Sequence, residues 1–198
     1  MHRMKEGAIT LIHKKGDKDL MKNYRPITML SVIYKLLASV LTNRMTPHMQ
    51  HIIHPDQTGF MKGRQISSNI RIALDVVARA KQKQWAGALL MLDWEKAYDV
   101  VDWGWLDKCL RRAGFNMDSE YSFGSILNTL HHGACRKVLV NGFLSESFPI
   151  FASVPQGSPL SSYLFLVSCE PLHQHVRAND KIRGLRLPNG EELKTIGN

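Results

Sequence analysis

Apolar residues in this chain come in short runs separated by polar, glycine- and proline-bearing segments. Ala8 to Ile12 is a short apolar run that ends in the polar turn His13 to Lys18, the pattern of a strand entering a basic loop. Asn23-Tyr24-Arg25-Pro26 is expected to be extended, because a proline pushes the residue before it out of the helical region. Val32, Ile33, Leu36, Leu37, Val40 and Leu41 then recur at helical spacing, and the helix they predict ends near Pro47. A polar segment follows from Asp56 to Ser68, with Gly59 and Gly63. A second helix is expected from about Asn69 to Lys83, with Ile70, Leu74, Val77 and Ala80 on its apolar side.

Gly87 to Leu92 is unbroken in its hydrophobicity, which predicts a strand buried on both faces. It stops abruptly at Asp93-Trp94-Glu95-Lys96-Ala97-Tyr98-Asp99. Asp102 is placed to cap a helix with Trp105, Leu106, Cys109 and Leu110 facing inward and Gly114 as its stop. Phe123, Ile126, Leu127 and Leu130 mark another helix. Arg136 to Val140, Asn141-Gly142 and Phe143 to Phe151 read as a β-hairpin, since Asn-Gly suits a two-residue turn. Ser153 to Ser158 is a loop, and Leu160 to Val176 a helix kinked by Pro171. Helices and strands interleave without a βαβ period, so the expected class is α+β.

Charge narrows the partners. The 198 residues carry 26 Lys and Arg against 17 acidic residues, a formal net charge of +9, which favours a polyanion such as nucleic acid and would also suit an anionic membrane surface. The three cysteines, Cys109, Cys135 and Cys169, form no C-x-x-C pair, which argues against a zinc knuckle and for reduced thiols. No apolar run is long enough for a signal peptide or a membrane span. The expectation is an intracellular protein, cytoplasmic or nuclear, with no membrane partner.

Several residues could carry chemistry. A carboxylate at the end of an apolar strand, as expected for Asp93, suits a rigid hard-oxygen ligand for Mg²⁺; an aspartate making an ordinary turn is the plainer local account. Tyr98 can be a packed aromatic, and Asp99 and Asp102 turn or capping residues. Pro155-Gln156-Gly157-Ser158-Pro159 is a restricted loop opening a helix. There Gly157 would let a ligand approach the backbone and Gln156 could bond a nucleotide, while a proline-started helix is the simpler alternative. Lys14, Lys15, Lys18, Lys22 and Arg25 crowd the first extended segment, and Lys62 and Arg64 flank Gly63. Both basic sets fit phosphate contact or merely a solvated face. The nine histidines form no H-E-x-x-H pattern, and no Walker phosphate loop or G-x-S-x-G elbow occurs.

Taken in order, Gly7 to Gly16, Asn23 to Ile27, Asp56 to Phe60 with Gly63-Arg64, Leu92 to Asp99 and Pro155 to Ser161 resemble successive blocks of the reverse transcriptases of non-long-terminal-repeat (LINE-type) retrotransposons. The likeness covers essentially the whole chain. It implies a right-hand polymerase: fingers over about 1–85 and a partial palm over 86–198, with a hairpin near 135–151 that returns to the fingers, and no thumb. It implies that Asp93, with the backbone carbonyl of Trp94, binds catalytic Mg²⁺ (or Mn²⁺), and that Tyr98 is the aromatic gate at the sugar 2′ position. By the same likeness Gln156 and Gly157 lie at the incoming nucleotide, Arg25 and more weakly Lys14 hold its triphosphate, and Lys15, Gly63 and Arg64 guide template or primer. The partners implied are an RNA template, a DNA primer and dNTPs.

Departures from the family qualify these expectations. Ser153-Val154-Pro155-Gln156-Gly157 stands where Gly-Val-Arg-Gln-Gly is usual, and Ser162 where a second proline is usual. The aromatic-Ala-Asp-Asp block, expected soon after an Arg183 to Leu187 strand, is not found before Asn198. The sequence therefore reads as a fragment, truncated before the second catalytic-aspartate block and inactive by itself. The alternatives are a non-catalytic nucleic-acid-binding remnant and a poorly stable relic.

Overall fold

The computed structural model describes residues 4–187, 190 and 192–197; Met1 to Arg3, the start of the segment inspected for a leader, lie outside them. The chain divides into two compact units, Met1–Met45 with Lys96–Ser168, and Thr46–Glu95 with Cys169–Asn198. This differs from a division at 85/86, because pairing between the first strands and the later hairpin draws the chain's start to its middle.

The first unit is built on a mixed sheet. β1 (Glu6–His13) and β2 (Tyr24–Leu30) run antiparallel, from Gly7 opposite Leu30 to His13 opposite Tyr24. β3 (Cys135–Val140) lies parallel to β1, and β4 (Phe143–Leu144) and β5 (Phe148–Pro149) pair antiparallel with β3. The strand order β2-β1-β3-β4 leaves β2 at an edge, where Pro26 costs no ladder hydrogen bond. The expected hairpin is present: Asn141 and Gly142 sit at φ 50° and 85°, the left-handed pair that a tight hairpin turn requires. Arg136 on β3 is buried and donates from Nη1 to the carbonyls of Lys5 and Cys135, both at 2.9 Å. Gly7 stands opposite it; a Cβ there would come within 2.7 Å of Thr28 Cγ2 and 3.2 Å of Arg136 Cδ. Glycine is what lets the three strands close over a guanidinium.

Helices pack on this sheet. α1 spans Val32–Ile52 and runs through Pro47 instead of ending near it. Tyr34, Ala38, Leu41 and Met45, at spacings of three and four, are each 3% exposed or less. Val32, Ile33, Leu36 and Val40, part of the stripe singled out from the sequence, are 55–72% exposed. The helix is apolar on two faces, and among the described residues one of them is buried. α3 (Trp103–Arg112) is capped as expected, Asp102 Oδ1 accepting from the Trp105 amide at 2.6 Å, although Trp105 itself is 46% exposed. α4 (Phe123–His131) starts at a Ser122 cap and buries Leu127, Leu130 and His131.

The second unit contains the later part of α1, then α2 (Ile66–Lys83), the later part of α5 (Ser161–Ala178), and the short antiparallel pair β6 (Leu185–Arg186) and β7 (Glu192–Leu193). α5 continues through Pro171. Arg177 bridges Asp56, at 3.1 Å, and Glu170; Thr195 also bonds Asp56. Asn69, buried on α2, donates to the carbonyls of Asp56 and Gly197, both at 2.6 Å. A polar network thus ties this unit together, and the expected apolar side of α2 is only partly covered: Val77 and Ala80 are half-buried, Ile70 and Leu74 are 51% and 65% exposed.

The strand expected over Gly87 to Leu92 is absent. Those residues have no regular structure, and Leu90 and Met91 are 78% and 86% exposed. A strand needs a neighbour to take its N–H and C=O groups, and no described strand pairs with this run. Hydrophobicity alone does not make a strand.

His131 supplies a stability test. It is buried, bonds the Leu127 carbonyl through Nδ1 at 2.9 Å, and lies by the Trp103 ring. Burial, with the nearby His132 and Arg136 charges, lowers its pKa from 6.5 to about 4 against the opposing pull of the Leu127 hydrogen bond. Its folded pKa lies below the unfolded one, so the unfolded chain binds the extra proton. Stability is therefore expected to fall from near pH 6.5 to near pH 4, by on the order of 3 kcal/mol. Urea unfolding at pH 7 and pH 4.5 measures this drop, and His131→Leu should remove the histidine's share of it.

Candidate functional site

The loop from Ser153 to Ser158 docks on the free edge of β2. The Thr28 amide donates to the Gln156 carbonyl at 3.0 Å. Gly157 follows at φ +119°, and a Cβ on it would stand 2.9 Å from the Thr28 carbonyl oxygen. Glycine is needed there on two counts, backbone conformation and close approach. Ser161 Oγ donates to the Pro155 carbonyl at 2.8 Å. Burial pushes the Tyr34 phenol above its ordinary pKa, opposed by the Arg136 charge and by Ser158.

A second segment grips the same loop. The Val154 amide donates to the Tyr98 carbonyl and the Ser153 amide to the Val101 carbonyl, each at 2.9 Å, while Trp103 Nε1 reaches the Ser153 carbonyl at 2.8 Å. Tyr98 is thereby fixed beside α5: its ring lies 5.3 Å from that of Phe165, and its hydroxyl 3.3 Å from Ser162 Oγ. Ser162, where the family usually has proline, gives Tyr98 a hydrogen-bond partner. Pro155, where arginine is usual, is buried and its carbonyl holds the helix start.

The site residues named from sequence fall into three groups. Tyr98, Gln156 and Gly157 are brought together by these bonds. Arg25 is exposed near the start of β2, opposite Ile12, and Lys14 and Lys15 follow the end of β1; the Lys14 amide donates to the Asn23 carbonyl at 2.8 Å. All three cations therefore stand at one end of the β1–β2 pair, and no ion pair among the described residues involves them. Asp93, Trp94, Gly63 and Arg64 belong to the other unit. Asp93 and Trp94 are exposed on the irregular segment after α2. Among the described residues no three His, Cys, Asp or Glu side chains gather as metal ligands.

Arg64 has a definite position. Its Nη1 donates to the carbonyls of His54 and Gln57 at 2.6 and 2.8 Å, its Nη2 to the Ile53 carbonyl at 3.0 Å, and Nε and Nη2 both reach Gln50 Oε1. A cation therefore sits on the carbonyls of the turn that follows α1, favourable both as hydrogen bonds and near the negative end of the helix dipole. Gly63, at φ +80°, makes the turn that delivers it. Asp99, read from the sequence as a turn or capping residue, does close a turn: its amide donates to the Lys96 carbonyl at 2.8 Å.

Comparison with known proteins gives the family. The family model for reverse transcriptase (RNA-dependent DNA polymerase) matches residues 12–185. The chain is 34% identical over 167 residues to the Transposon TX1 uncharacterized 149 kDa protein of Xenopus laevis, covering 84% of this chain and 12% of that protein. It is 29% identical to a retrovirus-related Pol polyprotein from the type-1 retrotransposable element R2 of Popillia japonica, covering 79% of this chain and 21% of the relative. A probable RNA-directed DNA polymerase from transposon BS of Drosophila melanogaster is also 29% identical, with 82% and 18% covered. The chain belongs to the reverse transcriptase family, and the relatives it resembles are those of non-long-terminal-repeat retrotransposons. It spans about a fifth or less of the length of these relatives.

Replacing Arg64 by Ala should lower stability by on the order of 2 kcal/mol, since it leaves several helix-end carbonyls without their donor. Arg64→Lys should recover only part of this, because one ammonium cannot reach the same fork of acceptors. Denaturant midpoints of the three proteins measure it.

Proposed function

We propose that this chain supplies the nucleotide-binding part of an RNA-directed DNA polymerase, acting on an RNA template, a DNA primer and dNTPs. The observation that carries this is the docking of the Gln156 loop onto Thr28 of β2, which sets Gln156 and Tyr98 in one bonded framework on the strand that bears Arg25. In this reading Gln156 and Gly157 meet the incoming nucleotide and Tyr98 limits space at its 2′ position. Arg25, with Lys14, draws its triphosphate; Lys15, Gly63 and Arg64 serve template or primer, Arg64 by holding the turn that follows α1.

Asp93 is the proposed metal-binding carboxylate, aided by the Trp94 carbonyl; Mg²⁺ or Mn²⁺ would supply Lewis-acid stabilisation of the transferring phosphate. One exposed carboxylate does not hold two such ions against their hydration, and no ligand cluster surrounds it among the described residues. The residues present do not by themselves make a two-metal centre, so no step is assigned to one. Family membership together with the exposed cations at the β1–β2 end also favours a second reading, nucleic-acid binding without synthesis.

Binding of a fluorescent dNTP in the presence of primer–template separates these readings. Gln156→Ala and Arg25→Ala should each weaken it about tenfold, a loss of roughly 1.4 kcal/mol. Unchanged affinity in both variants would remove the nucleotide site and leave the second reading. Primer extension with Mg²⁺ should show no synthesis by this chain alone. Affinity for RNA should fall steeply with salt, and the triple change Lys14→Glu, Lys15→Glu and Arg25→Glu should flatten that slope.

A further inference from the structure

Tyr98 is held at three points: its carbonyl accepts the Val154 amide at 2.9 Å, its ring lies 5.3 Å from that of Phe165 at an angle of 45°, and its hydroxyl stands 3.3 Å from Ser162 Oγ. Ser162 and Phe165 are one helical turn apart on α5 and share one face of it. The same face continues to Ser168, whose carbonyl accepts from Trp105 Nε1 at 3.0 Å. The stretch from Tyr98 to Trp105 is thus laid along the start of α5. Tyr98, Ser162 and Phe165 are all half-buried, so the ring is backed by the helix and still open to solvent.

The backbone bond fixes only where the side chain starts. A tyrosine ring then turns about two bonds, and packing against a single neighbour leaves it room to rock. Its hydroxyl lies at the far end, where a small rotation gives the largest displacement. A hydrogen bond at that end is therefore the most effective restraint. We propose that Ser162 is a positioning residue that locks the Tyr98 ring in one orientation and thereby sharpens the choice between a deoxyribonucleotide and a ribonucleotide. The inference rests on Tyr98 bordering the sugar 2′ position, and it adds what keeps that border in place. The two sugars differ by one hydroxyl, and a wall excludes that oxygen only as well as it resists yielding. A ring tethered at its tip cannot swing aside to admit it; a ring resting on Phe165 alone can. Either oxygen can donate in this bond, so removing either hydroxyl breaks the tether.

Two measurements test this. The first needs no nucleotide. Denaturant midpoints of Ser162→Ala, Tyr98→Phe and the double variant should show losses that do not add, because both changes remove the same bond. Alanine favours helix and phenylalanine keeps the ring, so both single variants are expected to fold. Additive losses would overturn the proposal. The second compares the affinities of a fluorescent dNTP and the matching rNTP in the presence of primer–template. Their ratio is the readout, since a general structural loss lowers both together. Ser162→Ala and Tyr98→Phe should each lower the dNTP preference several-fold, chiefly by strengthening rNTP binding, and the double variant should lower it no further. Ser162→Thr, which keeps a hydroxyl, should retain the preference. Tyr98→Ala removes the wall itself and should lower the preference most. If Tyr98→Ala lowers it while Ser162→Ala and Tyr98→Phe do not, the proposal fails and the reading of Tyr98 stands. If even Tyr98→Ala leaves the preference unchanged, the reading of Tyr98 fails and takes the proposal with it.

Discussion

The hydrogen bond from the Thr28 amide to the Gln156 carbonyl is the constraint around which the first unit is organised. It sets the loop against the free edge of β2, part of a row of backbone groups that would otherwise need water or another strand. Because Gly157 follows in a conformation that brings backbone against backbone, the loop cannot slide along that edge. Everything attached to the loop inherits this position. Tyr98 and Val101 are tied to it by backbone bonds, and α5 begins from its Pro155 carbonyl. The sheet beneath closes over a buried guanidinium, Arg136, for which Gly7 makes room.

Much of the local structure is legible in the sequence because it is decided locally. Asn141-Gly142 can take up the left-handed turn almost unaided, Asp102 needs only the first turn of α3, and Pro26 keeps its neighbour extended. What was not legible depends on partners distant in the chain. α1 offers two apolar stripes, and nothing in its own periodicity says that Tyr34, Ala38 and Leu41 outrank Val32, Ile33 and Leu36 for the core. Gly87 to Leu92 has the composition of a central strand but lacks a pairing neighbour. The role of Arg64 at the end of α1 was also hidden, since a basic residue after a glycine suggests phosphate as readily as a helix terminus.

The candidate site shows the same division. The order of the blocks pointed to the family, and the family match over residues 12–185 agrees. The blocks did not reveal how Gln156 is held. Its backbone carbonyl is held by the amide of Thr28, a residue that lies far off in the sequence and meets it only in the folded chain. Two substitutions unusual for the family also fit the local structure: Pro155 is buried with its carbonyl in use, and Ser162 offers a hydroxyl to Tyr98.

The unused stripe of α1 has a consequence for how the protein behaves in solution. With the β2 edge occupied by its own loop and by Pro26, strand-to-strand growth has little purchase there. Val32, Ile33, Leu36 and Val40 instead form a ridge of exposed aliphatic carbon beside a strongly cationic molecule. Mutual repulsion keeps molecules apart at low salt, and added salt screens it, letting the ridges meet. Attraction between them strengthens on warming, as apolar association does near room temperature. The exposed stripe and the net positive charge together therefore make self-association expected to rise with ionic strength and with warming.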